Sequence, residues 1–130
     1  MEGECWYGWS MYVPEDYKDT VNISGTSRSL TAAQFHQSPT FNPAWMFRKE
    51  FGGRMHLVNF SKLGNENPGV LNRYKKENFR RRWHDFVVHA YWATSEDGLL
   101  RVWVNDQRRV DYSGNTRTEG NDYTYQKFGT

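Results

Sequence analysis

Apolar and polar residues alternate with a period of two along most of this chain, a pattern that predicts strands rather than helices. The run ECWYGWSMYV (4–13) is rich in aromatic residues and ends at Pro14, which suits a strand edge. Residues 14–29 are polar, with Gly and Ser, and read as a loop. LTAAQFHQ (30–37) is a second strand, closed by a segment with Pro39 and Pro43. Within it Gln34 and His36 share one face, while Ala33 and Phe35 turn to the other.

Residues 44–60 read as a hairpin around Gly52-Gly53, a pair that accepts the positive φ of a two-residue turn. That turn sets Lys49 opposite His56, Phe47 opposite Val58 and Trp45 opposite Phe60, on a mostly apolar face expected to meet the core. The reverse face would carry Met46, Arg48, Leu57 and Asn59. A basic residue and an amide on such a surface suit a groove for an acidic ligand, and a solvated face explains them equally well.

Residues 62–69 read as a loop, and 72–82 holds six basic residues with one Glu. Such a run is either a solvated segment or an attractor of polyanions. WHDFVVHAYWA (83–93) alternates with Phe86, Val88, Ala90 and Trp92 inward and Val87, His89 and Tyr91 on the opposite face. Turns are expected at Asp97-Gly98 and Asn105-Asp106, flanking the strand LLRVWVN (99–105). QRRVDYS follows, then a polar loop over 114–122 and a last strand over 123–130. About eight strands with Gly, Asn and Asp turns define an all-β class, an antiparallel sandwich or jelly roll in a single domain over 1–130. An up-and-down barrel would show more even spacing and fewer long loops.

Composition narrows the function classes. Aromatic residues make up 17% of the chain, which favours strands; flat rings also cover the apolar faces of pyranose sugars, and filling the core explains most of them as well. A net charge of +2 lacks the field of a general nucleic-acid binder. The single Cys5 excludes an internal disulfide. Met1–Trp6 has neither the basic nor the apolar region of a signal peptide, and no stretch approaches 18 apolar residues.

Most catalytic patterns are missing from the sequence. The histidines, His36, His56, His84 and His89, form no metal-binding pair, and no nucleophile elbow or phosphate loop occurs. No Glu stands in the Glu-x-Asp-x-x-Glu spacing of sandwich glycosidases. Gln34 and His36 remain. A His titrates near neutral pH and can take a proton, and a Gln amide can donate to a carboxylate or its enolate. Together they suit proton abstraction alpha to a carboxylate; taken alone, they also fit an ordinary polar strand face.

Four motifs in order, WYGWSMYVPEDY (6–17), AQFHQ (33–37), WHDFVVHAYWATSEDGLLRVWVND (83–106) and YQKFG (125–129), resemble polysaccharide lyases of the heparin lyase I and glucuronan lyase type. More distantly they resemble alginate lyases of jelly-roll fold. The resemblance implies that Gln34 neutralises a uronate carboxylate and that His36 serves as base or base-assisting residue. It implies that Tyr125 and Lys127 line the same concave sheet, while Arg48 and Asn59 are substrate-binding candidates from the reverse face of the hairpin. The partner would be an acidic polysaccharide, cleaved by β-elimination; a non-catalytic carbohydrate-binding sandwich is the alternative. No organic cofactor is implied, although some relatives hold a structural calcium, for which Glu15, Asp16 and Asp19 offer oxygen ligands. A secreted or periplasmic location is implied as well. The family's last motif continues to a Tyr that would follow Thr130, and its first is preceded by an Arg-containing strand, so the domain is expected to be incomplete at both termini.

Overall fold

The computed structural model describes residues 3–16, 30–39, 43–49, 55–59, 69–74 and 80–128. Among them run nine strands: β1 (Gly3–Val13), β2 (Leu30–Ser38), β3 (Pro43–Lys49), β4 (Met55–Asn59), β5 (Gly69–Tyr74), β6 (Arg82–Trp92), β7 (Leu99–Val104), β8 (Gln107–Ser113) and β9 (Tyr123–Phe128). They form two antiparallel sheets, one ordered β1-β6-β7-β8 and the other β5-β4-β3-β2-β9. The fold is the expected all-β sandwich. The expected loop and basic run contain one strand more than the pattern predicted, β5.

Alternation builds the core as the sequence implies. Phe86, Val88, Ala90 and Trp92 of β6 are all buried, as are Ala33 and Phe35 of β2 and Trp45 and Phe47 of β3. Aromatic rings join the sheets: Tyr7 meets Phe35 at 4.9 Å between centroids, Trp9 meets Phe47 edge-on at 5.2 Å, and Trp45 meets Tyr112 edge-on at 5.0 Å. Such off-parallel pairs place the positive edge of one ring toward the negative face of another. Burial of each large side chain stabilises by roughly 1.5–3 kcal/mol.

Tyr7 and Trp92 pair their polar atoms inside the sandwich. The Trp92 indole donates to the Tyr7 hydroxyl at 3.0 Å. Burial pushes the Tyr7 phenol up to about 12, because the indole hydrogen bond that favours its ionised form is the weaker influence. Burial also raises Tyr112, against a hydrogen bond from Asn59.

The turns follow their predicted chemistry. Asn105 and Asp106 both take positive φ, 50° and 65°, as a two-residue hairpin turn demands. A Cβ on Gly98 would collide with the Gly114 carbonyl and with Thr116, so the turn after Asp97 packs against the 114–122 loop only because residue 98 has no side chain.

The β3–β4 hairpin departs from expectation by one residue. Trp45 pairs with Asn59, Phe47 with Leu57 and Arg48 with His56. A one-residue slip turns every side chain of β4 to the other face. Leu57 therefore joins the core and Asn59 lies beside Trp45 and Tyr112, 5% exposed, rather than beside Arg48. The run His56-Leu57-Val58-Asn59 explains the ambiguity: its two apolar residues are adjacent, so either could have faced inward. The expected Gly52-Gly53 turn lies outside the described residues.

β1 and β9 are the edge strands on one side of the sandwich. A cleft of about 390 Å³ opens between them, lined by Trp9, Ser10, Met11, Ala32 and Phe128.

A candidate active site on the five-stranded sheet

On β2, Ala33, Phe35 and Gln37 point into the sandwich, 2%, 0% and 1% exposed, so Gln34 and His36 project from the opposite face. Register then gathers partners around them. β9 sets Lys127 beside Gln34 and Tyr125 beside His36. β3 sets Met46 beside Gln34, and Arg48 pairs across β4 with His56. Five residues expected in the site, Gln34, His36, Arg48, Tyr125 and Lys127, thus share one face. Asn59 does not. His56, assigned by the sequence pattern to the core side, takes its place on that face, 5% exposed.

The centre of the face is the His36–Tyr125 pair. The Tyr125 hydroxyl lies 3.3 Å from His36 Nδ1, and the two rings are 5.4 Å apart. His36 Nδ1 also lies 3.0 Å from the Gln37 carbonyl oxygen. That carbonyl accepts only, so the tautomer that satisfies it carries the proton on Nδ1 and the lone pair on Nε2. Lys127 Nζ stands 5.3 Å from the centroid of the Tyr125 ring. Tyr123 extends the row of rings at 5.7 Å from Tyr125.

The pair is held in place from behind. Gln37 accepts from the Thr118 backbone N–H at 2.7 Å through Oε1 and donates to the Thr118 hydroxyl at 3.3 Å. The Trp45 indole donates to the Thr116 carbonyl at 3.1 Å, and the Asp122 N–H donates to the Ser38 carbonyl at 2.7 Å. Thr116 is fully buried; its hydroxyl accepts from the Ala93 N–H and donates to the Tyr91 carbonyl at 2.8 Å. These bonds pin the 114–122 loop onto both sheets, and the loop delivers β9 in register with β2.

Other sequence candidates fall elsewhere. Glu15 forms an ion pair with Arg81, and its carbonyl accepts from Arg80 at 2.6 Å. That carboxylate is engaged by a cation, Asp19 lies outside the described residues, and no group of three or more metal-binding side chains occurs among the described ones. Lys75 and Lys76 of the basic run also lie outside the described residues. His84 and His89 face opposite ways, as their spacing predicts: His84 pairs with Asn105 and His89 with Glu4.

A two-sheet antiparallel sandwich with a His–Tyr pair on the outer face of one sheet is a fold shared with polysaccharide lyases. The polysaccharide lyase family matches residues 1–130, so the chain belongs to that family. Its fold is similar to that of endo-β-1,4-glucuronan lyase from the fungus Trichoderma reesei, with a TM-score of 0.66 and 14% identity. It is also similar to a mutant of alginate lyase Aly36B in complex with alginate trisaccharide, with a TM-score of 0.67 and 11% identity. These matches cover 97% and 100% of this chain, but 56% and 61% of the two lyase chains. No curated protein matches the sequence.

Proposed function

We propose that the outer face of the five-stranded sheet binds an acidic, uronic-acid-containing polysaccharide and cleaves it by β-elimination. The observation that carries this reading is the Tyr125 hydroxyl 3.3 Å from His36 Nδ1, on the face that also bears Gln34 and Arg48. Membership of the polysaccharide lyase family supports the reaction class, and the similarity to a glucuronan lyase and an alginate lyase supports a polyuronate.

In this reading the Gln34 amide and the Arg48 guanidinium donate hydrogen bonds to the uronate carboxylate. They stabilise the negative charge that develops there as the neighbouring C5–H bond breaks. His36 Nε2 accepts the C5 proton. The C5–H electron pair becomes the C4=C5 double bond as the bond from C4 to the glycosidic oxygen breaks. Tyr125 gives its phenolic proton to the departing oxygen, and Lys127 offsets the charge left on the tyrosinate. The products are an unsaturated uronate and a new chain end. Proton exchange with solvent then resets both residues. The chemistry so written uses side chains alone, with no organic cofactor, and a calcium ion, if bound, would play a structural part. The substrate class fits a secreted or periplasmic protein.

Incubation with polyglucuronate and with alginate tests the reading. Ultraviolet absorbance of the unsaturated uronate should rise with the wild type and vanish in His36→Ala and Tyr125→Phe. Undiminished product from both variants would remove the assignment. The alternative of a non-catalytic binding sandwich draws on the partial coverage of the similar lyase chains. It predicts retention on a polyuronate column with no such absorbance.

A further inference from the structure

The outer face of the other sheet carries a second constellation that the elimination chemistry does not use. Trp6 is 61% exposed and lies flat on His89, with ring centroids 4.0 Å apart and planes 6° from parallel. Trp103 of β7 joins the stack at 5.9 Å. His89 covers one face of the Trp6 indole, and most of the Trp6 side chain remains open to solvent. Glu4 Oε1 lies 2.6 Å from His89 Nε2 and fixes the supporting ring. Six residues along the same face of β1, about 20 Å away, Tyr12 pairs with Trp83 of β6 at 5.5 Å. Tyr12 and Trp83 are 46% and 64% exposed.

Between these two aromatic platforms the surface drops. Gly8 has no side chain, and a Cβ added there would meet nothing closer than 3.8 Å. Beside it the Ser10 hydroxyl donates to Asp85 Oδ1 at 2.5 Å. The strip is therefore aromatic at both ends and low in the middle, where exposed Val87 stands opposite Gly8 and the Ser10–Asp85 pair adds polar groups. A protein surface laid across it would bury the Ser10–Asp85 pair away from water, at a cost unless new hydrogen bonds replaced those to solvent. Sugar hydroxyls supply such bonds, while the flat C–H faces of pyranose rings match exposed indoles.

Charge selects among sugars. Glu4 and Asp85 place carboxylates on the strip, and the cations Arg101 and Arg108 of the adjoining strands are both engaged by Asp111, at 3.0 and 3.5 Å. A polyuronate would meet like charge here, whereas a neutral chain would not. We infer that the outer face of the four-stranded sheet is a second glycan-binding surface, which takes a neutral polysaccharide chain laid along β1 between Trp6 and the Tyr12–Trp83 pair. The surface is separate from the proposed elimination site, and either can fail without the other.

Affinity electrophoresis in gels containing a soluble neutral β-1,4-glucan tests the inference. Calorimetry with a neutral β-1,4-linked hexasaccharide, using the intact chain, gives the affinity. The wild type should be retarded. Trp6→Ala and Trp83→Ala should each weaken binding about tenfold or more. Gly8→Gln, whose side chain enters open space, should fold normally and block the strip. Migration of the wild type unchanged by the glucan would overturn the inference. So would equal retardation of the wild type and all three variants, or stronger retention by polyglucuronate that is lost in Trp6→Ala. Concentration-dependent dimerisation abolished by Trp6→Ala would assign the platform to self-association instead.

Discussion

The outer faces of the two sheets are built by one rule and reach opposite chemistries. In β1 and β2 alike, every second residue enters the core and the alternate residue faces out. On β2 those outward positions are Gln34 and His36, joined by Tyr125, Lys127, Arg48 and His56 from neighbouring strands. On β1 they are Glu4, Trp6, Gly8, Ser10 and Tyr12. One face gathers histidines, a tyrosine, an amide and cations, the other exposed indoles with carboxylates. The inward positions are interchangeable in kind, since aromatic and aliphatic groups serve both sheets. The outward positions are what distinguish the two sheets. Support differs too: the site on β2 and β9 depends on a loop pinned by buried hydrogen bonds, whereas the rings on β1 rest on cross-strand stacking.

The largest expected effect falls on the proposed proton carriers. His36→Ala should lower kcat for polyuronate cleavage by about 10²–10⁴-fold, the span of a lost general base. Wild-type turnover in that variant would erase the chemical contrast between the faces. Next comes the loop. Thr116→Val removes a buried hydroxyl that serves two backbone groups and should cost about 1–3 kcal/mol in urea unfolding. Turnover should fall more steeply with temperature than in the wild type, because the loop carries β9. An unchanged urea midpoint would show that the loop does not support the site.

A smaller effect is expected from Arg48→Gln, which should raise KM for polyuronate about tenfold and flatten its dependence on salt. Glucan retention on the other face should stay insensitive to salt throughout, since its contacts are uncharged. A salt-sensitive glucan interaction would blur the distinction. The smallest effect lies beneath β1. The folded chain holds the Tyr7 proton more tightly than the unfolded chain, whose phenol titrates near 10.0. The stability this contributes is therefore complete below pH 10 and lost as pH rises toward about 12. Urea midpoints measured across that window should fall less in Tyr7→Phe than in the wild type.

Much of this could be read from residues alone. The β6 alternation, the Asn105-Asp106 turn and the opposed directions of His84 and His89 are local consequences of strand period and turn geometry, and each occurs as expected. Gln34 and His36 were legible as a same-face pair for the same reason. His56 was not, because adjacent Leu57 and Val58 left the β4 register undecided, and only packing against the opposite sheet chose Leu57 for the core. The strip on β1 was hidden differently. Its rings looked like core residues in composition, and nothing local reveals that Trp6 finds its support on His89, 83 positions away in sequence.

By itself the sequence determined the class of fold and, for strands such as β2 and β6, the side that turns inward, because these depend on periods of two and on turn residues. Tertiary structure alone decided which outward residues meet. Strand order brought Tyr125 to His36 across 89 residues, and a one-residue choice of register exchanged Asn59 for His56. Those outcomes rest on the fit of one sheet against the other, a long-range energy that no short stretch of chain contains.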